Sequence, residues 1–149
     1  MMGLNFMKKL LLAIILVAGL ASCSMDEDTP RFDVAFVPIE SITFPEQMQP
    51  GQTYELEVFY KRPNDCHYFD GFYTEAEGNS QLLAVQTLVI QDAKCESLED
   101  EAPESAMYSF TCPTGDIYTL NPSFTFKIYK GDDENGEGQF ETVLIPVAQ

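Results

Sequence analysis

The chain has 149 residues and a formal net charge of −16, from 24 acidic against 8 basic side chains. Phosphate binding needs a basic footprint, so this balance excludes nucleic acid and argues against anionic membrane as a charge-recognised partner. The length suits one domain, burying roughly two-thirds of its unfolded surface.

Lys8 and Lys9 precede an unbroken apolar run from Leu10 to Ala18, and Gly19, Ala21 and Ser22 then lead to Cys23. Basic, apolar and small residues in that order form the pattern of a cleavable secretory signal. About a dozen apolar residues follow the lysines, whereas a spanning helix needs about 20, so an uncleaved membrane helix is the poorer reading. The tetrad Leu20-Ala21-Ser22-Cys23 resembles the lipobox of bacterial lipoproteins. That resemblance implies cleavage after Ser22, a diacylglyceryl group on the Cys23 thiol and acylation of the new amine. Covalent lipid is then the only added group expected, with no cofactor. Two or more acyl chains, at about 0.8 kcal/mol per buried methylene, anchor a protein stably.

Asp26, Glu27 and Asp28 follow directly. Such composition reads as a solvated tether. It also resembles the acidic signal that, placed after the lipidated cysteine, sends lipoproteins of Bacteroidota-type bacteria to the cell surface. An exported protein anchored to the outer membrane is therefore expected. It faces outward if the acids are that signal, and the periplasm if they are only tether. The organisation expected is a signal over residues 1–22, a lipidated acidic tether over 23–33 and a domain over 34–149. Cleavage removes two lysines and no acid, leaving 127 residues and a charge of −18.

Beyond the tether, apolar runs of five to ten residues recur between Pro, Gly, Asn and Asp, without the 3.6-residue period of a long amphipathic helix. Val34 to Phe44 is interrupted at Pro38, which suits an edge strand that bends or changes sheet. After Pro50-Gly51, Tyr54, Leu56, Val58 and Tyr60 alternate with Glu55, Glu57 and Phe59, a half-buried strand with its acids outward. A third strand runs through Tyr68, Phe69, Phe72 and Tyr73, and its Gly71 suggests a bulge. Gly78-Asn79 reads as a hairpin turn into Gln81–Gln91, whose lack of alternation predicts cover on both faces. Glu96 to Glu104 is an acid-rich exposed loop. Met107, Tyr108 and Phe110 form a fifth strand. Phe124, Phe126 and Ile128 face one way and Thr125, Lys127 and Tyr129 the other. A polar loop over residues 131–138 precedes the last strand, with Val143, Ile145 and Val147 alternating. About seven antiparallel strands and no crossover helix predict an all-β, immunoglobulin-like sandwich.

Cys66, Cys95 and Cys112 remain after lipidation, and an exported context permits a bridge. A turn centred on Gly78-Asn79 makes cross-strand partners sum to about 157, so Cys66 faces residue 91 or so. Cys95 lies four residues further on, at the same open end. A modest bend or bulge brings the pair within the roughly 4 Å between Cβ atoms that a bridge requires. The expectation is a Cys66–Cys95 disulfide with Cys112 buried or free; three reduced thiols is the alternative.

The terminal hairpin, from Phe124-Thr125-Phe126-Lys127-Ile128-Tyr129 through Gly131–Gly136 to Val143–Val147, resembles small uncharacterised lipoproteins of flavobacteria and their relatives. The Cys66 segment, the Leu83–Ile90 strand and Cys95 are similar too. The resemblance implies an exported β-sandwich and carries over no functional residue. Cys112 departs from that pattern.

Asp132, Asp133 and Glu134 open a loop rich in oxygen ligands, a candidate surface calcium site. The EF-hand pattern fails there: Gly136 as sixth residue puts Gly131 first and Thr142 twelfth, and Gly138 as sixth puts Leu144 twelfth. No metal is the primary expectation. The single histidine, His67, lies between Asp65 and Asp70 and reads as an ordinary strand-edge residue. Seven Tyr and eleven Phe suit core packing. Tyr73, Tyr129 and Phe59 are candidates for an outward patch that stacks sugars or binds protein, although Trp, the better platform, is absent. The reading is a lipid-anchored, non-enzymatic binding domain with an unknown protein or glycan partner. Its rival is a capture module for glycan or calcium, accessory to a nutrient-uptake complex.

Overall fold

The computed structural model describes residues 31–91, 93–118 and 122–148. The expected signal over 1–22, the expected lipidation site Cys23 and the acids Asp26, Glu27 and Asp28 lie outside the described residues.

Among the described residues, eight strands form two sheets: β1 (Phe32–Val37), β2 (Ile39–Thr43), β3 (Thr53–Tyr60), β4 (His67–Glu77), β5 (Ser80–Ile90), β6 (Glu104–Thr111), β7 (Ser123–Asp132) and β8 (Gly138–Pro146). A single 3-10 turn, Asp116–Tyr118, is the one helical element among the described residues. The fold is the all-β sandwich that the strand pattern predicts. Strand β1 opens at Phe32, so the last two residues expected to be tether already pair within the sheet. The count rises to eight because Pro38, which cannot donate a ladder hydrogen bond, splits the first run. Its halves then join different sheets, β1 beside β5 and β2 beside β3.

The smaller sheet runs β2-β3-β6 and is antiparallel throughout. In the larger, β4 lies along one edge of β5, while β1 and β7 share the other. Strand β1 pairs with Val85–Ile90, β7 pairs with Ser80–Leu83, and β8 closes the far side of β7. The β5–β7 pair is parallel. A parallel pair needs a long crossover, and here β6 supplies it by passing through the opposite sheet. An immunoglobulin sandwich joins its sheets ABED and CFG by antiparallel pairs; this parallel pair is the departure from that scheme.

The core lies between the sheets. Leu56 and Val58 of β3, Leu83 and Val85 of β5, and Phe124 and Phe126 of β7 are all fully buried. Three rings lock the layers together, with Phe110 of β6 lying 4.8 Å from Phe124 and 5.0 Å from Phe126 between centroids. Burying each such side chain is worth about 1.5–3 kcal/mol, and a favourable ring pair adds about 0.5–1.5 kcal/mol. Leu83, Ala84 and Val85 are buried in succession, the two-sided cover that the missing alternation in β5 foretold.

The β4–β5 hairpin explains the disulfide. Its register begins at Glu77↔Ser80, a sum of 157, and drops to 156 at Phe69↔Thr87 because a bulge intervenes between Phe69 and Gly71. Gly71 takes φ +136°, a conformation that side-chain-bearing residues rarely adopt. Cys66 therefore falls beside Ile90, whose N–H donates to its carbonyl at 3.0 Å. The chain after β5 folds back along residues 63–66: Asp65 N–H donates to the Glu96 carbonyl and Leu98 N–H to the Pro63 carbonyl, each at 3.0 Å. This return stroke brings Cys95 to Cys66, with Cα atoms 5.5 Å apart, and the two are disulfide-bonded. Cys112 is free and buried.

Candidate binding face

An antiparallel sheet with one wet face normally alternates apolar-in with polar-out. The larger sheet breaks that rule on its outer side. Val37 of β1 points into the core, so Phe32, Val34 and Phe36 point out. The same alternation places Tyr68 and Tyr73 of β4, and Phe140 and Leu144 of β8, on the outer face. These seven side chains are 40–59% exposed. The outer face of the smaller sheet is polar by comparison. There Ser105 Oγ donates to Glu57 Oε1 at 3.0 Å, and the Thr53 and Thr111 hydroxyls lie 2.8 Å apart.

Four rings form a strip across the middle of the larger sheet. Tyr73 on β4 lies 5.2 Å from Phe36 on β1, Phe36 6.3 Å from Tyr129 on β7, and Tyr129 5.9 Å from Phe140 on β8. Strand register sets this alignment: Tyr73 stands opposite Ala84, Phe36 opposite Gln86 and Tyr129 opposite Phe140. Gly138 assists, since a Cβ there would come within 3.2 Å of the Phe140 ring. The absent side chain leaves room for the ring to lie over the backbone, as aromatic residues do beside edge glycines.

Two of the three predicted patch residues meet here. Tyr73 is exposed as expected. Tyr129 faces outward but is only 8% exposed, a correction to the open platform expected. Phe36 and Phe140 flank its ring, and its hydroxyl donates to Asp132 Oδ1 at 2.8 Å. Burial first, then the Asp132 carboxylate, push the phenol up to about 12. Phe59 does not join them: alternation in β3 sends it to the outer face of the smaller sheet, where it is half-buried. Phe36 and Phe140 were missed by the sequence reading. The signal for Phe36 was present, because Phe32, Val34 and Phe36 recur with period 2 on the side opposite Val37.

Successive rings in the strip are tilted by 49°, 71° and 58°. They make a corrugated apolar surface rather than one flat stacking platform. Two of the four are Phe, without a hydrogen-bonding group, and the Tyr129 hydroxyl is already engaged.

The remaining predicted residues are spread over the molecule. Asp133 Oδ1 accepts from Asn135 N at 2.8 Å and Glu137 N at 3.0 Å, and those bonds hold its carboxyl below the usual range. Its second oxygen accepts from Gln139 Nε2 at 3.3 Å, and Asp132 accepts from Tyr129. These acids tie the β7–β8 loop together, and Gly136, at φ +78°, turns it. Among the described residues, the acid and thiol atoms that do converge belong to Asp65, Cys66 and Cys95, where the disulfide has consumed both thiols.

His67 Nδ1 lies 2.8 Å from Asn64 Oδ1, and desolvation followed by the Arg62 guanidinium lowers its pKa. Arg62 itself is spent, donating to Glu104 Oε1 through Nε at 2.7 Å and ion-pairing with that oxygen through Nη2 at 2.6 Å. A depression of about 360 Å³ beside them is lined by Phe36, Pro38, Lys61, His67 and Glu99 among others. Cys112, next to Thr111, sits at the other end of the β3–β6 ladder from Tyr60 and Glu104. Seven residues at about 3.3 Å each separate those ends by about 23 Å. Cys112 Sγ lies instead 3.5 Å from the buried Tyr118 hydroxyl. His67, Asp65 and Cys112 therefore share no cleft.

No family model matches the chain, and neither a curated protein nor a solved structure does.

Proposed function

We propose that this protein is a lipid-anchored, exported, non-enzymatic binding domain that engages a protein partner through the strip Tyr73–Phe36–Tyr129–Phe140. The observation that carries the reading is the apolar outer face of the larger sheet in a chain of net charge −16. Contiguous apolar patches on an otherwise polar exterior mark contact surfaces, and aromatic residues are enriched where proteins meet. Tyr and Phe supply large contact area with few rotatable bonds, so ordering them costs little on binding. The separation of His67, Asp65 and Cys112 supports a binding role over catalysis.

The test is site-specific photocrosslinking in intact cells, with the reactive side chain at Phe140 and, as control, at Glu57 on the other sheet. A discrete adduct from position 140 that is absent from position 57 supports the reading. No adduct from either, or the same adducts from both, refutes it. A glycan is the second reading, favoured by the exposed Tyr68 and Tyr73 on this face. Saturable binding of an oligosaccharide that is lost in Tyr73→Ala would establish it instead.

A further inference from the structure

We infer that the end of this face nearest the N-terminal tether, formed by Phe32, Val34 and Tyr68, rests on the neutral-headgroup lipid bilayer that holds Cys23. The inference depends on the lipid-anchor reading of Cys23 and adds an orientation to it.

Three observations place the contact. Seven residues, 24–30, separate Cys23 from Arg31. A chain spans at most about 3.3–3.6 Å per residue, so the domain starts within about 29 Å of the lipidated sulfur. That short connection enters the sheet through β1, whose first residue, Phe32, is itself on the apolar face. The most exposed apolar side chains at this end lie in adjacent rungs: Phe32 pairs with Ile90, and Val34 and Tyr68 both pair with Leu88 from opposite sides. Phe32, Val34 and Tyr68 are 49%, 59% and 50% exposed, and Leu88 and Ile90 between them are half-buried. The central ring strip lies further up the sheet, so both contacts can form at once.

The physics requires little intrinsic affinity. A short tether makes docking intramolecular, at an effective concentration in the millimolar range. Aromatic side chains favour the boundary between headgroups and hydrocarbon. Charge selects the lipid. Asp65, Glu96, Glu99, Asp100, Glu101 and Glu104 lie on the segments that meet at this end of the sheet and outnumber Arg31, Lys61, Arg62 and Lys94, so an anionic surface repels it.

The chain contains no tryptophan, which makes a single introduced one a clean reporter. Full-length protein, acylated in its host and reconstituted into phosphatidylcholine vesicles carrying brominated acyl chains, is prepared as Val34→Trp, Tyr68→Trp and Phe59→Trp. Intact mass establishes the lipid on Cys23. The two face reporters are expected to lose about half their fluorescence, since docked apolar faces sit about 5–10 Å into the boundary. Phe59→Trp, on the opposite sheet, keeps its fluorescence, and adding anionic lipid restores that of Val34→Trp. Face reporters left unquenched in a protein whose mass shows acylated Cys23 overturn the docking while the anchor stands. Equal quenching of all three overturns the orientation. An unacylated mass overturns the anchor reading and the docking with it.

Discussion

Replacing Cys66 and Cys95 together by serine removes a cross-link between residues 29 apart in sequence. In the chain-entropy account, closing a loop of that length withdraws about 12 cal/mol/K from the unfolded ensemble, which is about 3.6 kcal/mol at 25 °C. The folded side loses less. The return stroke stays tied to residues 63–65 by two backbone hydrogen bonds, and Asp65 Oδ1 still accepts from Glu96 N at 2.8 Å. The fold should therefore survive with its stability cut. At about 2.1 cal/mol/K per residue, a domain of this size unfolds with an entropy near 0.25 kcal/mol/K, so the loss corresponds to a fall in Tm of about 14 °C. Urea unfolding followed by circular dichroism measures it, with linear extrapolation to water. Thiol titration of the unreduced, denatured wild-type domain, prepared from residue 31 onward, should find one reactive group, Cys112. A loss below about 1 kcal/mol would refute the entropic reasoning. Three titratable thiols would refute the bridge itself.

Four further outcomes are expected. Phe126→Ala removes a fully buried ring packed against Phe44, Phe110 and Phe124, and should cost about 3–5 kcal/mol in urea unfolding. Tyr129→Phe deletes the hydroxyl bonded to Asp132. Because folding raises that phenol from 10 to about 12, its contribution is complete below pH 10 and lost as pH rises through 12, so the variant's stability should decline less across that window. Asp133 has the opposite sign. Its carboxyl is held low by the Glu137 amide first and then the Asn135 amide, so its support of the loop is present above the ordinary carboxylate pKa and lost as pH falls through the lowered one. Protection of the Glu137 and Asn135 amides against hydrogen exchange, taken relative to the intrinsic rate at each pH, should fall on acidification, and in Asp133→Ala it should be low at every pH. Chelation of calcium should leave Tm unchanged, since the Asp133 oxygens already accept three hydrogen bonds; a fall in Tm would revive the calcium reading of Asp132, Asp133 and Glu134.

Local chemistry by itself determined a good deal of this protein. Alternation in Tyr54–Tyr60 and Phe124–Ile128 picked out core-facing side chains, because a strand's period of two needs no knowledge of its partners. Pro38 and Gly71 marked a sheet change and a bulge through backbone constraints carried by the residue itself. The hairpin centred on Gly78-Asn79 placed Cys66 and Cys95 at one end of the molecule by counting alone.

Only the tertiary structure decided which strand lies against the second edge of β5, and that β7 runs parallel to it there. It alone aligned Tyr73, Phe36, Tyr129 and Phe140 into one strip and sent Phe59 to the other sheet. It also buried Tyr129, whose cover comes from β1 and β8, 93 residues before it and 11 after. Alternation says which side chains share a face of one strand. It is silent on which faces meet, because that depends on the register and packing of segments far apart in the chain.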